Sequence, residues 1–143
     1  MTPLVQERTE LVLDVAGPAV LDLTPEVAAW LGHMRARDGL LTVFLRHGSA
    51  SLAIQDSVDP KLRAELFEAL KHISFDASTY RYDAERPDGM PAHIRSILTS
   101  VSLSIPVFEH AMALGPRQGI VLVEHRARPL PRAVALHFIG SRN

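Results

Sequence analysis

Three short polar segments of the sequence carry side chains that could do chemistry, and each contains a histidine. They are residues 47–51 (HGSAS), 88–93 (DGMPAH) and 118–126 (QGIVLVEHR). An imidazole can bind an anion, transfer a proton or ligate a metal near neutral pH. The sequence has no cysteine, which excludes disulfides, thiolate catalysis and Cys-ligated metal centres. It also lacks an HExxH motif, a Gly-rich phosphate loop and a GxSxG elbow, so an active site would have to be assembled from separated segments.

The first segment follows the apolar residues 40–46, which predict a buried strand. Its small residues let backbone N–H groups come close to a ligand, and the hydroxyls of Ser49 and Ser51 could join His47 in holding an anion. A plain β-turn with solvated hydroxyls would explain the same composition. The segment is therefore a candidate anion site, with the turn as the alternative.

The second segment places Asp88 at the end of a loop and His93 in the first turn of a predicted helix. The amino terminus of a helix attracts anions because its first backbone N–H groups have no partner inside the helix. Asp88 could instead do no more than cap the helix. Both interpretations, a ligand-binding pair and a helix cap, fit the sequence.

The third segment contains the unbroken apolar run 120–123, which predicts a strand covered on both faces. Glu124 and His125 then point to opposite sides, so at least one of them enters a covered region and needs a partner there. Arg126 and Arg128 could hold a phosphate or a carboxylate. A structural ion pair beside a solvated arginine is the alternative.

Composition narrows the class of partner. Lys and Arg total 15 against 16 Asp and Glu, a net charge of −1, and no basic stripe is interleaved with aromatics, which argues against nucleic acid. The apolar runs are far shorter than the ~20 residues that cross a bilayer, and the amino terminus lacks a secretory pattern. We therefore expect a cytoplasmic protein with no membrane or nucleic-acid partner. The three histidines show no metal-ligand spacing, so the cofactor stays open, a divalent metal included.

Regular elements must position these segments. Alternation in residues 9–15 predicts a strand, and Thr24-Pro25 opens a helix with Thr24 as its cap, whose apolar spacing continues to Asp38-Gly39. Asp59-Pro60 begins a second helix in the same way. The remaining predicted elements are a long loop at residues 74–90, a short helix from Pro91, strands at 40–46, 51–55, 101–105, 107–114, 119–125 and 132–138, and a hairpin turn at Gly115-Pro116.

Helices among the early strands and a run of strands late in the chain favour an α+β fold with a largely antiparallel sheet and flanking helices. A chain of 143 residues has the usual size of one domain, so residues 1–143 are expected to form a single compact domain. Strand edges in so small a domain favour closure by association with other copies.

Taken together, the polar segments resemble the YjbQ-like family of secondary thiamine-phosphate synthases. The family's His-Thr-Ser-Ala-Ser-Leu corresponds to residues 47–52 (HGSASL), and its Asn-Glu ahead of Asp-Pro corresponds to Gln55-Asp56. Its Asp-Asp-Met-Pro-x-His-Ile corresponds to residues 88–94 (DGMPAHI). Its Gly-Thr-Trp-Gln-Gly-Ile and Glu-His-Arg correspond to residues 115–120 (GPRQGI) and 124–126 (EHR). The blocks keep the family's order, and the resemblance covers about residues 40–140.

The resemblance implies a homotrimer with the polar blocks in one pocket for a small phosphorylated or anionic ligand. It also implies a thiamine-phosphate-synthase-type transfer, which joins a pyrimidine diphosphate to a thiazole phosphate. The arginines would stabilise the departing diphosphate, the histidines would transfer protons or bind anions, and the carboxylates would orient imidazoles or hold a metal. The residues assigned to catalysis are His47, His93, His125, Glu124 and Asp88, and those assigned to ligand or phosphate binding are Ser49, Ser51, Gln118, Arg126 and Arg128. A trimer that binds a small anion or metabolite without catalysis is the alternative.

Four changes from the family pattern stand out, one of which affects a pair of residues. Gly48 and Gly89 lack the side chains of a Thr and an Asp, Gln55-Asp56 replaces Asn-Glu, and Arg117 replaces the flat ring of a Trp with a charge. We expect these changes to leave the fold intact. We also expect them to make this chain a poorer thiamine-phosphate synthase than a relative with the full pattern.

Overall fold

The computed structural model describes residues 2–74 and 88–143, and within them the chain forms eight strands and three helices. The strands are β1 (Val5–Val15), β2 (Ala19–Asp22), β3 (Ala36–Leu45), β4 (Ala50–Asp56), β5 (Ser102–Phe108), β6 (Ala111–Met112), β7 (Gln118–Glu124) and β8 (Leu130–Arg142). The helices are α1 (Thr24–His33), α2 (Pro60–Ile73) and α3 (Gly89–Leu98). Most of the predicted long loop lies outside the described residues. No described helix has the length and apolar content needed to cross a bilayer.

The strands form two antiparallel sheets, which confirms the predicted α+β class. The larger sheet has the order β1-β8-β3-β5-β6, and the smaller has the order β2-β7-β4. Strand β8 pairs with β1 on one side and with β3 on the other. Helices α2 and α3 contact β4, whereas α1 contacts both β3 and β7. The two sheets and α1 therefore enclose the core, and α2 and α3 lie against the other face of the smaller sheet.

Alternating side chains of the two sheets meet in one hydrophobic core. Its members include Leu41, Val43 and Leu45 of β3, Val134, Leu136 and Phe138 of β8, Ile120 and Leu122 of β7, and Val27 and Leu31 of α1. Burial of each large side chain contributes about 1.5–3 kcal/mol. The alternation continues beyond the apolar residues, so Arg132 in β8 and Glu124 in β7 also point between the sheets. Charged groups are thereby placed at one end of the core.

Helix α1 is shorter than its apolar spacing predicted. It ends at His33, Arg35 adopts a left-handed backbone conformation with φ of 62°, and β3 begins at Ala36. The helical spacing extended to Met34, a core residue that belongs to the turn after the helix. Local periodicity could not distinguish a buried turn residue from one more helical turn.

The two predicted helix caps had different outcomes. Asp59 caps α2 as expected, because its carboxylate accepts from the N–H groups of Lys61 at 2.9 Å and Leu62 at 3.4 Å. Thr24 does not cap α1. Its hydroxyl instead accepts from the N–H of Ile120 at 2.9 Å, which ties the start of α1 to strand β7.

Three predictions of secondary structure in the second half of the chain were wrong in detail. Strand β5 continues through Pro106 and turns into β6 at Glu109-His110, where both residues have positive φ (49° and 71°). A turn forms at Gly115-Pro116, but it is no hairpin, because the strands that it joins belong to different sheets. Helix α3 begins at Gly89, two residues before the expected Pro91.

Candidate functional site

The three polar segments meet around the carboxyl end of β7, where Glu124 and His125 lie. The first segment joins β3 to β4, the second begins α3, and the third ends β7. Ala50 of the first segment pairs with Glu124 of the third across the sheet, and Nε of Arg126 in the third segment donates to Oδ1 of Asp88 in the second at 3.1 Å. Contacts therefore connect all three segments within one chain.

Glu124 lies between the two sheets, where Arg132 binds it with both arms of the guanidinium. Nε of Arg132 donates to Oε1 of Glu124 at 2.6 Å, and Nη2 donates to Oε2. The same guanidinium donates to the hydroxyl and carbonyl oxygens of Ser49 at 3.1 and 3.2 Å. The side chains of Arg132 and Glu124 are only 2% and 0% exposed. This bidentate pair joins the two sheets and fixes the loop that carries His47.

His125 faces the other side of β7, toward the helices, and ends a chain of hydrogen bonds. Its Nε2 lies 2.8 Å from Oγ of Ser51, which in turn contacts Oγ1 of Thr99. The Thr99 hydroxyl donates to the carbonyl of Arg95 at 2.7 Å. Because a hydroxyl has one proton, Thr99 accepts from Ser51, and Ser51 accepts from Nε2–H of His125. The imidazole proton is therefore on Nε2, and Nδ1 carries a bare lone pair.

Nδ1 of His125 is buried, and no group in the described part of the chain donates to it. Burial, followed by the positive charges of Arg95 and Arg132, lowers the pKa of His125 from 6.5 to about 4. The imidazole is thus neutral at physiological pH. A buried acceptor without a donor costs about 1–3 kcal/mol, and groups left in this state are characteristic of functional sites.

His47 and His93 lie on the more accessible side of the cluster, and both are partly exposed. The N–H of Ala133 donates to Nε2 of His47 at 2.8 Å, so the proton of His47 is on Nδ1. Burial, followed by the charge of Arg132, lowers the pKa of His47. Gly48 lies against His93, because a Cβ at Gly48 would be 3.4 Å from Nδ1 of His93. The side chain that the family pattern has at this position would therefore touch the His93 ring.

Asp88 and Arg126 form a second buried ion pair. Nε of Arg126 donates to Oδ1 of Asp88 at 3.1 Å, and the N–H of Ala127 donates to Oδ2. Asp88 immediately precedes α3, yet its side chain makes no capping hydrogen bond. The capping alternative is therefore wrong, and the carboxylate fastens the end of β7 to the start of α3.

These contacts change the roles expected for several residues. Ser49 and Ser51, expected to bind an anion, are engaged by Arg132 and His125 inside the protein. The carboxylates of Glu124 and Asp88 hold arginines and backbone N–H groups where they were expected to orient imidazoles. They position the loops of the site.

Two of the expected ligand-binding residues are not part of the buried cluster. Gln118 begins β7, six residues before Glu124, which is a distance of about 20 Å along a strand. Its side-chain oxygen accepts from the N–H of Gly115 at 2.8 Å and closes the preceding turn. Arg128 lies on the surface, two residues beyond the buried Arg126. Among the residues expected to bind a ligand or phosphate, Arg128 is the one with an exposed positive charge next to the buried cluster.

Two departures from the family pattern contact each other. Arg117 donates from Nε to Oδ2 of Asp56 at 2.8 Å, at the end of β7 remote from the histidines. The N–H groups of Asp59 and Val58, and after them Arg117, lower the pKa of Asp56. Gly89, the third departure, is buried in the first turn of α3. Within one chain, Arg117 therefore does not line the histidine cluster, whereas Gly89 adjoins it.

A metal site does not emerge from these side chains. Within residues 2–74 and 88–143, no three His, Asp or Glu side chains are grouped in a way that could hold a metal ion. The carboxylates of the cluster, those of Glu124 and Asp88, already accept hydrogen bonds from arginines.

Three residues of the cluster were not expected from the sequence, namely Arg132, Arg95 and Thr99. Arg132 could have been found, because the inward alternation of residues 134, 136 and 138 extends back to residue 132. Arg95 lies in α3, and Thr99 directly follows the last residue of that helix. No sequence signal indicated that this end of α3 packs on β4, so the contact of Thr99 with Ser51 could not be foreseen.

Several known proteins are similar to this chain in sequence. The family profile described as UPF0047 protein YjbQ-like matches residues 10–141. The UPF0047 protein sll1880 of Synechocystis sp. is 40% identical over 138 residues, which are 94% of this chain and 92% of that protein. The UPF0047 protein YjbQ of Salmonella typhimurium is 41% identical over 102 residues, covering 71% of this chain and 74% of that protein.

Solved structures share the fold. The crystal structure of a hypothetical protein from Aeropyrum pernix K1 superposes with a TM-score of 0.84 at 26% identity, covering 94% of this chain and 99% of that one. A YbjQ-like protein from Sulfolobus solfataricus P2 superposes with a TM-score of 0.89 at 16% identity, covering 97% of this chain and 100% of that one. This chain therefore has the same overall fold as these proteins.

Proposed function

Because the chain belongs to the YjbQ-like UPF0047 family, we propose that it is an enzyme catalysing a thiamine-phosphate-synthase-type transfer at the cluster around His125. In this reaction the C–O bond between the pyrimidine methylene and the diphosphate breaks, and the diphosphate leaves with the electron pair. The ring nitrogen of the thiazole phosphate then forms the new C–N bond with its lone pair. The family resemblance implies this activity. The buried hydrogen-bonding groups around His125 support the proposal that the reaction takes place there.

The observation that carries the proposal is the bare, buried Nδ1 of His125. When the diphosphate leaves, positive charge spreads over the aminopyrimidine ring and makes its amino N–H groups stronger donors. A neutral imidazole acceptor in a site of low dielectric would stabilise that charge more than it stabilises the neutral ring. Since its pKa is about 4, the imidazole is available in this form at physiological pH.

The departing diphosphate needs a cation, and Arg128 has the exposed position that suits this role. The buried Arg126 and Arg132 are held by carboxylates, so we assign them to positioning. His47, His93 and the open surface at Gly48 form the accessible side from which substrate would enter. Preorganised cations and acceptors of this kind act without rearrangement at the moment of reaction.

The test is the substitution His125→Gln, since glutamine can still donate to Ser51 but has no imidazole. We expect the rate of thiamine phosphate formation from the two substrates to fall about a hundredfold, as is usual for loss of one positioned proton-transfer or hydrogen-bonding group. The Kd of thiazole phosphate, measured by calorimetry, should change by less than about threefold, within the range of a minor contact. His33→Gln, at an exposed histidine at the end of α1, is the matched control and should retain the rate.

The same experiment distinguishes the alternative of a non-catalytic small-anion-binding protein. In that case wild-type protein would bind the phosphorylated compounds but form no thiamine phosphate above background. Wild-type protein that forms no product would therefore contradict the proposed activity. Equal rates for His125→Gln and wild type would contradict the role of His125.

We also propose that the chain assembles as a homotrimer through the outer face of the five-stranded sheet. This face carries exposed apolar side chains on neighbouring strands, among them Leu40, Phe44 and Ile139, each 41–46% exposed. Val12 of β1 and Phe108 of β5 extend the patch on either side. Exposed apolar patches of this kind mark interaction surfaces. If one part of the patch binds a different part on the next chain, the same contact repeated around a threefold axis closes a ring of three chains.

Light scattering should therefore give three times the 15.7 kDa chain mass at micromolar concentration. Phe44→Asp should lower the mass to that of one chain, because a charge in the centre of an apolar interface is desolvated without a partner. Val58→Asp is the control, since Val58 is 57% exposed in the loop between β4 and α2, away from that sheet. A single-chain mass for the wild-type protein would contradict the trimer.

A further inference from the structure

A separate pocket of about 140 Å³ lies between helix α2 and the face of the smaller sheet that points away from the core. Its apolar walls come from Val20, Val121 and Val123 of the sheet and from Leu66, Phe67 and Leu70 of the helix. Residues 121 and 123 alternate with core residues of β7, so this pocket and the core lie on opposite faces of the strand. The pocket has no part in the transfer proposed above.

Helix α2 does not close over this face of the sheet. None of its residues is buried, and Leu66 remains 47% exposed although its side chain lines the pocket. An apolar helix face usually closes against its sheet, because each Å² of apolar surface removed from water is stabilising. The gap that remains has the size of an engineered apolar cavity of about 150 Å³ that binds benzene in another protein. A single six-membered or five-membered ring therefore fits its volume and its lining.

The pocket also carries one positive charge. Arg63 of α2 lines it beside Phe67 and is only partly exposed. Among the described residues its guanidinium forms no hydrogen bond or ion pair, whereas the exposed Arg117 is paired with Asp56. A guanidinium at the edge of an apolar cavity favours a planar anionic group, which it can bind with two parallel N–H donors.

We propose that this pocket binds a monocyclic aromatic or heteroaromatic anion, with the ring between Phe67 and Val123 and the anionic group on Arg63. The hydroxyl of Thr99 at the pocket wall offers a third, neutral contact. The same hydroxyl hydrogen-bonds to Ser51, which is bonded to His125. Binding requires no reaction, so the proposal goes beyond the transfer activity and stands if His125 has no catalytic role.

The experiment compares two probes, phenyl phosphate and the neutral benzyl alcohol, by NMR titration of the valine methyl groups. Both probes should shift the methyl signals of Val121 and Val123, and phenyl phosphate should bind more tightly. Ala53→Leu, which adds volume at a pocket-lining position, should weaken both probes at least about tenfold by filling the space. Arg63→Met should weaken phenyl phosphate about three- to tenfold and leave benzyl alcohol unchanged.

Lys61→Met is the matched control for charge, because Lys61 is exposed on the same helix and does not line the pocket. It should leave both affinities unchanged. Arg63 lies outside the core, so its variant keeps the test informative even if Ala53→Leu unfolds the protein. The proposal is overturned if neither probe shifts Val121 and Val123 at millimolar concentration. It is also overturned if Lys61→Met weakens phenyl phosphate as much as Arg63→Met does.

Discussion

Glu124→Gln should lower the free energy of unfolding by about 3–5 kcal/mol, because it leaves the guanidinium of Arg132 buried without its counterion. Both side chains are almost fully excluded from water, at 2% exposure or less. The carboxylate also accepts from the N–H of Arg126 at 3.1 Å, so that donor loses a charged acceptor as well. A domain of this size has a total stability of about 5–15 kcal/mol, and one substitution would remove a large part of it.

Urea unfolding at a fixed protein concentration measures this loss, since association would otherwise change the apparent stability. Glu7→Gln provides the matched control, because the pair of Glu7 with Arg142 is about half exposed and should be worth less than about 1 kcal/mol. The double substitution Glu124→Leu and Arg132→Met should recover much of the loss, since it removes both charges together. If Glu124→Gln costs no more than Glu7→Gln, Glu124 is not the counterion of a buried Arg132.

The regular elements were predictable where local pattern and burial agree. The alternation of Val134, Leu136 and Phe138 predicted the last strand, and all three side chains are buried in the core. The apolar run 120–123 predicted a strand covered on both faces, and β7 is the central strand of its sheet, packed between the core and the helix side. In both cases the pattern reflects the alternating direction of side chains along a strand, which is a local property.

Predictions failed where the outcome depends on distant parts of the chain. Gly115-Pro116 gives a turn whichever strands it connects, but a hairpin requires both strands to pair with each other. Here β6 pairs with β5, and β7 pairs with β2 and β4. Packing of the two sheets determines which strands pair with each other, and no residue of the turn indicates the outcome.

The sequence indicated the segments that the structure brings together, but not the contacts that join them. His47, His125 and Asp88 stood out because each belongs to a segment with polar groups where an apolar strand or loop would be less costly. The hydrogen-bond partners of the two histidines are Ala133 of β8 and Ser51 of β4. Such pairings join elements that are remote along the chain, so they are fixed only when the sheets and helices come together.

The buried imidazole of His125 should make the protein lose stability as the pH falls from 6.5 toward 4. In the folded chain, burial and then the charges of Arg95 and Arg132 lower its pKa to about 4, whereas the ordinary value is 6.5. Between these values the unfolded chain binds the proton and the folded chain does not, so protonation favours unfolding. The stability is therefore fully present above pH 6.5 and is lost progressively as the pH falls through 4. At pH 4.5 the loss from this group should be about 2–3 kcal/mol.

His125→Gln isolates this contribution, because glutamine keeps a donor for Ser51 but does not titrate. Urea unfolding of both proteins at pH 7.5, 6.5, 5.5 and 4.5 should show the wild type losing about 2–3 kcal/mol more than the variant over this range. Carboxylates that titrate in the same range act in both proteins, and His47, whose pKa is lowered as well, is also present in both, so the difference between the two curves belongs to His125. An NMR titration of its ring proton in the folded protein should have a midpoint near pH 4. Parallel stability curves, or a midpoint near 6.5, would show that the imidazole is not buried beside the two arginines.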